Sequence, residues 1–318
     1  FYIEFLRYAN TDKGLGIVLT PMHIAQLFAK MANVGKDTVV LDNAAGTGGF
    51  LVAAMGEMMK DAGDNEAKIK EIRENQLYGI EYEDSIFALL VSNMIIHSDG
   101  RSNMIWGDTF DVIPSKLKGK ELVDVGLLNP PFKMDRDDIY EFEFVFSNLD
   151  AVKTRGTVIA ILPASAVTAT SGPNYEYKKR LLKNHTLEAV VSLPEELFHN
   201  SKTSVVTVGI VITAHVPHPR NKETWFGYWR HDGFVKTKIY GRADVNNRWG
   251  GENGLEEQWL SAFVNRKEVP QFSLSRRVTP EDEWIAEAYL ETDYSSLDLD
   301  AFEKTVREYQ AFKMENGL

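Results

Sequence analysis

Short apolar runs alternate along this chain with longer stretches of helical periodicity. Asp37-Thr-Val-Val-Leu-Asp42, Gln76-Leu-Tyr-Gly-Ile-Glu81, Asn103-Met-Ile-Trp-Gly-Asp108 and Leu122 to Leu128 each read as a buried strand, and further strands are predicted near 156–162 and 187–193. Between them the spacing of apolar positions predicts helices near 50–62, 83–97, 138–153 and 174–184. Alternation of this kind implies an α/β fold with a mostly parallel, doubly wound sheet. Val205 to Thr213, nearly all β-branched, follows the preceding strand too closely for a helical crossover and is expected to run antiparallel. Upstream, Thr20-Pro21 reads as a helix start, with Thr20 as N-cap and Pro21 at the first position of an amphipathic helix from Met22 to Met31.

The character changes after Pro217. Trp225, Trp229, Trp249 and Trp259 fall among Gly and Asn, Pro270 and Pro280 interrupt the chain, and the end from Leu297 is acidic and helix-like. The expected organisation is an N-terminal segment over 1–35, a core over 36–216 and an extension over 217–318 that serves packing and subunit interaction. The 318 residues are 44% hydrophobic and 25% charged, enough for a sizeable core, and no run approaches the ~18 apolar residues of a membrane span. A cytoplasmic protein is expected. With no cysteine, disulfides, thiolate metal sites and cysteine nucleophiles are excluded. Seven histidines include no HExxH pair, and His97, His185 and His199 read as structural or surface residues.

Candidate chemistry gathers at the strand ends. Asn43-Ala44-Ala45-Gly46-Thr47-Gly48-Gly49 is a glycine-rich loop between a strand and the apolar helix that starts at Phe50, the opening of a nucleotide-binding βαβ unit. A dinucleotide fingerprint beginning at Gly46 and Gly48 would place Gly or Ala at Leu51, and no Lys-Ser/Thr pair completes a P-loop, so pyrophosphate is disfavoured. Asp42 at the loop entrance suits a cationic amino-acid ligand instead, which points to S-adenosylmethionine. Glu81 is placed to accept from ribose hydroxyls and Asp108 from an adenine amine.

The fourth strand ends in Asn129-Pro130-Pro131-Phe132. Consecutive prolines stiffen the turn and remove two backbone donors, leaving an amide, bare carbonyls and an aromatic ring. That set holds no strong base, nucleophile or metal ligand. It grips a planar molecule with an exocyclic amine: the Asn129 oxygen and the Pro130 carbonyl accept two N–H bonds while Phe132 stacks on the ring.

These motifs together resemble those of the amino-group DNA methyltransferases, most closely the modification subunit of type I restriction-modification systems. The resemblance rests on Thr20-Pro21, on Asp42 through Phe50, on Gly79-Ile-Glu81, Gly107-Asp108 and Asn129 to Phe132. It continues through Gly156–Pro163, Val190–Phe198, Thr203 and Val205–Thr213, and fades after about residue 240. The motif order is that of the γ class. The resemblance implies a seven-stranded, Rossmann-like methyltransferase sheet and adenine N6 methylation of a flipped base. It implies cofactor contacts from Thr20, Pro21, Asp42, Ala44, Gly46, Thr47, Gly48, Gly49, Phe50, Glu81, Asp108 and Asn129, with catalysis by Asn129, Pro130, Pro131 and Phe132. No metal is implied. The chain departs at Asn43 and Ala45, where the family usually carries Pro and Cys; both read as backbone-shaping positions. Phe198 to Thr203 is a second candidate lining for the target base.

A formal charge of -11 opposes independent DNA binding, because phosphate neutralisation by Lys and Arg supplies most non-specific affinity. The family resemblance implies a separate DNA-specificity subunit, and a restriction subunit as a further partner. The basic runs Lys116/Lys118/Lys120 and Lys178/Lys179/Arg180/Lys183 read as solvated faces. Two other readings stay open: an amino-methyltransferase acting on protein glutamine or RNA, whose fourth motif position is usually Tyr, and a cofactor-binding scaffold without catalysis.

Overall fold

A computed structural model describes residues 19–97, 103–198, 205–237, 241–291 and 298–315. The first helix among the described residues, α1 (Met22–Met31), starts one residue after Pro21, whose carbonyl accepts from the Ile24 and Ala25 N–H groups. Thr20 does not cap it. Its hydroxyl is used elsewhere, as described below.

Nine strands form one sheet. In chain order they are β1 (Val40–Asp42), β2 (Leu77–Glu81), β3 (Met104–Trp106), β4 (Val123–Leu128), β5 (Val152–Pro163), β6 (Thr186–Ser192), β7 (Thr207–Thr213), β8 (Glu223–Tyr228) and, last, a strand at Ser273–Arg277. Two short strands, β9 (Val235–Thr237) and β10 (Gly241–Ala243), pair apart from it, so the ninth sheet strand is β11. The spatial order is β11-β8-β6-β7-β5-β4-β1-β2-β3. β3, β2, β1, β4 and β5 are mutually parallel, and β7 enters antiparallel between β5 and β6, as its lack of a crossover requires.

The expected seven strands are present, and the sheet exceeds that count by two. β6 would otherwise leave an open edge; β8 pairs with it in parallel and β11 closes on β8 in antiparallel register. Chain after 217 therefore extends the same sheet. The helix predicted over 138–153 is shorter, α6 (Glu141–Ala151), because β5 starts directly at Val152. Pairing of β4 with β5 jumps from Val123↔Val152 to Val125↔Thr157, and the polar excursion between them turns at Arg155, whose φ is 69°.

Helices cover both faces. Those before α6 are α2 (Gly49–Ala62), α3 (Glu66–Glu71), α4 (Asp84–Ile96) and α5 (Thr109–Val112); those after it are α7 (Ala164–Thr168), α8 (Gly172–Asn184), α9 (Leu255–Val264) and α10 (Leu299–Glu315). On one face Ile24, Leu27 and Phe28 of α1 pack with Phe50, Leu51 and Met55 of α2 and with the tryptophans of the extension; on the other, Phe142, Val145 and Phe146 of α6 pack with Val158, Ala160 and Trp284. Among the described residues no helix is long and apolar enough to cross a membrane.

Candidate active site

Parallel pairing of Val40↔Val125 and Leu41↔Gly126 brings the carboxyl ends of β1 and β4 side by side, so the glycine loop and the Asn-Pro-Pro-Phe turn leave the same sheet edge. In doubly wound sheets ligands sit at that edge. Thr20 spans the two segments. Its hydroxyl accepts from Asn129 Nδ2 at 3.1 Å, and its carbonyl lies 3.7 Å from where a Cβ on Gly49 would stand.

The loop owes its shape to left-handed glycines. Gly46 has φ 53° and Gly48 φ 86°, and a Cβ on Gly48 would stand 2.7 Å from Leu90 Cδ1. The loop is tied to its neighbours by Ala45 N–H to Ile80 O (2.9 Å), Gly46 N–H to Glu81 Oε2 (2.9 Å) and Asn93 Nδ2 to Thr47 O (2.8 Å). Phe50 then turns into the core, 2% exposed, and stacks on Phe28. Ala44 donates its N–H to Asp42 Oδ1 at 3.1 Å.

Asp42 lies beneath the loop and not at a solvated entrance. It is 2% exposed, and burial, reinforced by the charge of Glu81 and only partly opposed by the Ala44 N–H, pushes its carboxyl up to about 8. At neutral pH it is mostly protonated, so it does not repel a phosphate by charge. Glu81 is likewise raised by burial, against N–H bonds from Glu83, Gly46 and Tyr82. Its Oε1 accepts the Glu83 N–H and its Oε2 the Gly46 N–H, and with the Tyr82 N–H these three bonds leave about one of a carboxylate's roughly four acceptor positions. Asp108 caps α5 through the Phe110 N–H at 2.9 Å. Its role as helix cap is thus realised, with a second oxygen beyond that bond.

At the Asn-Pro-Pro-Phe turn the two ends of the Asn129 amide differ. Nδ2 is held by Thr20, whereas Oδ1 is buried and meets no donor among the described residues. Leaving such an acceptor unsatisfied costs about 1–3 kcal/mol, so the site favours a ligand that brings a hydrogen-bond donor. Pro130 is buried and Pro131 exposed. Phe132 is half-buried and meets Phe198 edge-on, ring centroids 6.0 Å apart. Beyond it, Lys133 N–H donates to the buried Glu141 carboxylate at 2.7 Å, which fixes the exit of the turn. Of the segment predicted as a second lining, Phe198 meets Phe132, and residues 199–203 lie outside the described residues.

Several residues that shape the site carry no signal in the sequence. Asn43 is the hub of a buried network: its Nδ2 donates to Thr109 Oγ1 (3.2 Å) and Phe144 O (3.0 Å), and its Oδ1 accepts from Asn148 Nδ2 at 2.9 Å. Asn148 crosses so close over Gly126 that a Cβ there would stand 1.8 Å from its Oδ1. The departure at Asn43 therefore ties the loop to α5 and α6, a tertiary role that spacing does not reveal.

The basic runs lie on solvated faces as expected, apart from Lys178, and several of their side chains are paired there. Lys118 pairs with Asp150 at 2.7 Å, Lys179 with Glu176 and Arg180 with Glu143. Lys178 is fully buried, unlike its expected solvated place: its Nζ donates to the Ala169 and Asp282 carbonyls and lies 5.0 Å from the Trp284 ring centroid. His185 is structural as expected. It accepts the His215 N–H, and burial lowers it to about 4. Among the described residues no group of His, Asp and Glu is placed to hold a metal.

Fold and site define a doubly wound α/β protein whose glycine-rich loop stands beside a rigid turn bearing a buried amide oxygen. The chain belongs to the N-6 DNA methylase family, whose sequence profile matches residues 2–282. It is 32% identical over 321 residues to the type II restriction enzyme and methyltransferase RM.BcgI of Heyndrickxia coagulans, covering 99% of this chain and 49% of that protein. It is 26% identical over 239 residues to the type I restriction enzyme EcoEI methylase subunit of Escherichia coli, covering 71% of this chain and 47% of that one. The chain thus spans about half the length of these relatives. In fold it is similar to a modification subunit of a putative type I restriction enzyme from Vibrio vulnificus YJ016, with a TM-score of 0.67 at 19% identity over 92% of this chain and 60% of that one.

Proposed function

We propose that this chain is the catalytic part of a DNA adenine N6-methyltransferase that uses S-adenosylmethionine, and that it works in the cytoplasm as the modification subunit of a type I restriction-modification system. The observation that carries this reading is the unpaired, buried Asn129 Oδ1 on a rigid turn, joined through Thr20 to the head of the glycine loop. An acceptor held beside a cofactor cradle suits an amine nucleophile.

The residues present fit the cofactor. Gly46 and Gly48 keep the loop free of side chains, Glu81 has an acceptor position left for a ribose hydroxyl, Asp108 has an oxygen for an adenine amine, and Asp42 is an acid that ionises when a cationic group approaches. When bound, the cofactor supplies a methyl group on positively charged sulfur. Asn129 Oδ1 and the Pro130 carbonyl accept the two N–H bonds of the target amine and draw its lone pair out of conjugation. Held this way, the amine would present its lone pair to that methyl group; the sulfur would leave as a neutral thioether, and the proton given up by the alkylated nitrogen would pass to solvent. Phe132 stacks on the target ring and offsets part of the few kcal/mol needed to unstack it from the duplex. The rest is alignment by a stiff scaffold.

Net charge of -11 supports a division of labour in which a specificity subunit supplies most DNA affinity and a restriction subunit is a further partner. Similarity to RM.BcgI along almost the whole chain favours a second arrangement, in which the methyltransferase shares its polypeptide with a nuclease. The test is tritium transfer from labelled S-adenosylmethionine to unmethylated genomic DNA, RNA and protein. Asn129→Ala is expected to lower transfer to DNA about a hundredfold or more while cofactor affinity, read by calorimetry, stays within a few fold. Undiminished transfer in this variant overturns the catalytic assignment, and absent cofactor binding in the unaltered chain favours a scaffold.

A further inference from the structure

We infer that Thr20 is a positioning residue that sets which end of the Asn129 amide faces the target amine. The inference rests on the catalytic reading of Asn129 and gives Thr20 a role that cofactor contact alone does not require.

An asparagine amide is pseudo-symmetric: turned end for end, it presents two donors where an oxygen had been. A target amine held by its N–H bonds needs the oxygen, so the wrong orientation sets donor against donor. In the structure the nitrogen end is engaged by Thr20 Oγ1 at 3.1 Å and the oxygen end is buried without a partner. Thr20 is held in place by the chain that follows it. It directly precedes Pro21 and α1, and its carbonyl abuts Gly49 at the start of α2. Two residues into α1, His23 Nε2 meets the buried Asp232 carboxylate at 3.0 Å, and its ring stacks on Phe234 with centroids 3.9 Å apart.

A threonine hydroxyl donates as readily as it accepts, so by itself it tolerates either orientation. Its preference becomes fixed when its own hydrogen is spent on another acceptor. The first turn of α2, against which Thr20 rests, has no acidic residue and no capping side chain, so its N–H groups suit an anion. A carboxylate brought there by a ligand, such as that of the methionyl part of the cofactor, would take the Thr20 hydrogen. The hydroxyl is then only an acceptor, Asn129 must offer it Nδ2, and Oδ1 is committed to the target. Cofactor occupancy thereby prepares the site for the base.

The experiment compares Thr20→Ser, which keeps the hydroxyl, with Thr20→Val, which keeps the shape and loses it. In the tritium assay Thr20→Ser should stay within about threefold of the unaltered chain, while Thr20→Val should lose about tenfold in kcat, the equivalent of one ordinary hydrogen bond, with KM for S-adenosylmethionine moved less. The second readout does not use turnover. In protein labelled with 15N at asparagine, the side-chain NH2 pair of Asn129, assigned by its absence in Asn129→Ala, should shift on adding S-adenosylhomocysteine in the unaltered chain and in Thr20→Ser, and should not shift in Thr20→Val. Equal kcat in Thr20→Val, equal loss in Thr20→Ser, or an amide pair that responds to cofactor without the hydroxyl each overturns the proposal. Transfer that survives Asn129→Ala overturns the catalytic reading instead, so the two failures are told apart.

Discussion

Asp42 is where a single residue decides the behaviour of the site. A carboxyl with two per cent exposure, pushed up to about 8 by burial, holds its proton at neutral pH until a cation comes near enough to repay desolvation. Binding a cationic cofactor well below pH 8 is then expected to expel up to one proton. Affinity for S-adenosylmethionine is expected to rise with pH up to about 8, approaching tenfold per unit, and to level off above it. Stability of the unliganded fold runs the other way. Its folded value is raised above the unfolded one, so the protonated acid contributes fully below about 4 and that contribution is lost as pH climbs through about 8. Asp42→Asn should bind more weakly and abolish both slopes. Calorimetry in buffers of different ionisation heat measures the proton count, and a pH slope that persists in Asp42→Asn would assign it to another group.

At the level of elements, what could be read from the sequence was what burial writes into it. Strands β2 and β4 are mostly apolar because both faces are covered, and the left-handed glycines of the loop are visible as Gly46 and Gly48. β8 and β11 were not legible as strands, since their place depends on the edge that β6 leaves open. Nor was Asn43 legible as a hub, because its partners Thr109, Phe144 and Asn148 lie 66 to 105 residues away. Lys178 illustrates the same limit: one lysine in a basic run of α8 is drawn inward to clamp the end of α7 to the extension. Burial, partly opposed by the charges of Asp282, Glu283 and Glu281, lowers its ammonium to about 8. Between about 8 and 10.5 the unfolded chain therefore holds a proton that the folded one has released, and this residue makes stability rise with pH across that window. The melting temperature of Lys178→Met relative to the unaltered chain should fall between pH 8 and 10; parallel curves would show that the lysine stays charged in its carbonyl cage.

For the whole molecule, the question is why a methyltransferase core carries a long acidic extension. Two ion pairs fasten it to α1: Lys30 to Glu256 at 2.7 Å near the surface, and a buried set in which Asp232 receives both guanidinium nitrogens of Arg242, at 3.0 and 2.6 Å, and faces His23 at 3.0 Å. Burial alone would raise the Asp232 carboxyl, but His23 and Arg242 outweigh it and hold it below the usual carboxylate range. Trp249 meets His23 edge-on and Trp259 stacks on Trp229, so the extension forms an aromatic wall behind α1. α1 begins where Thr20 meets Asn129. The extension thus reaches the Asn129 turn through one helix. Asp232→Ala should leave Arg242 buried without its partner and cost about 3–5 kcal/mol of stability. The same substitution should weaken S-adenosylmethionine binding and lower kcat under conditions where the variant is still folded, because α1 loses its anchor three residues from Thr20. A conservative check is the double variant Asp232→Asn with Arg242→Met, which removes the stranded charge: stability should largely return while the loss of activity persists. Full recovery of both would mean that the extension only stabilises the core, and that Thr20 is held by α2 alone.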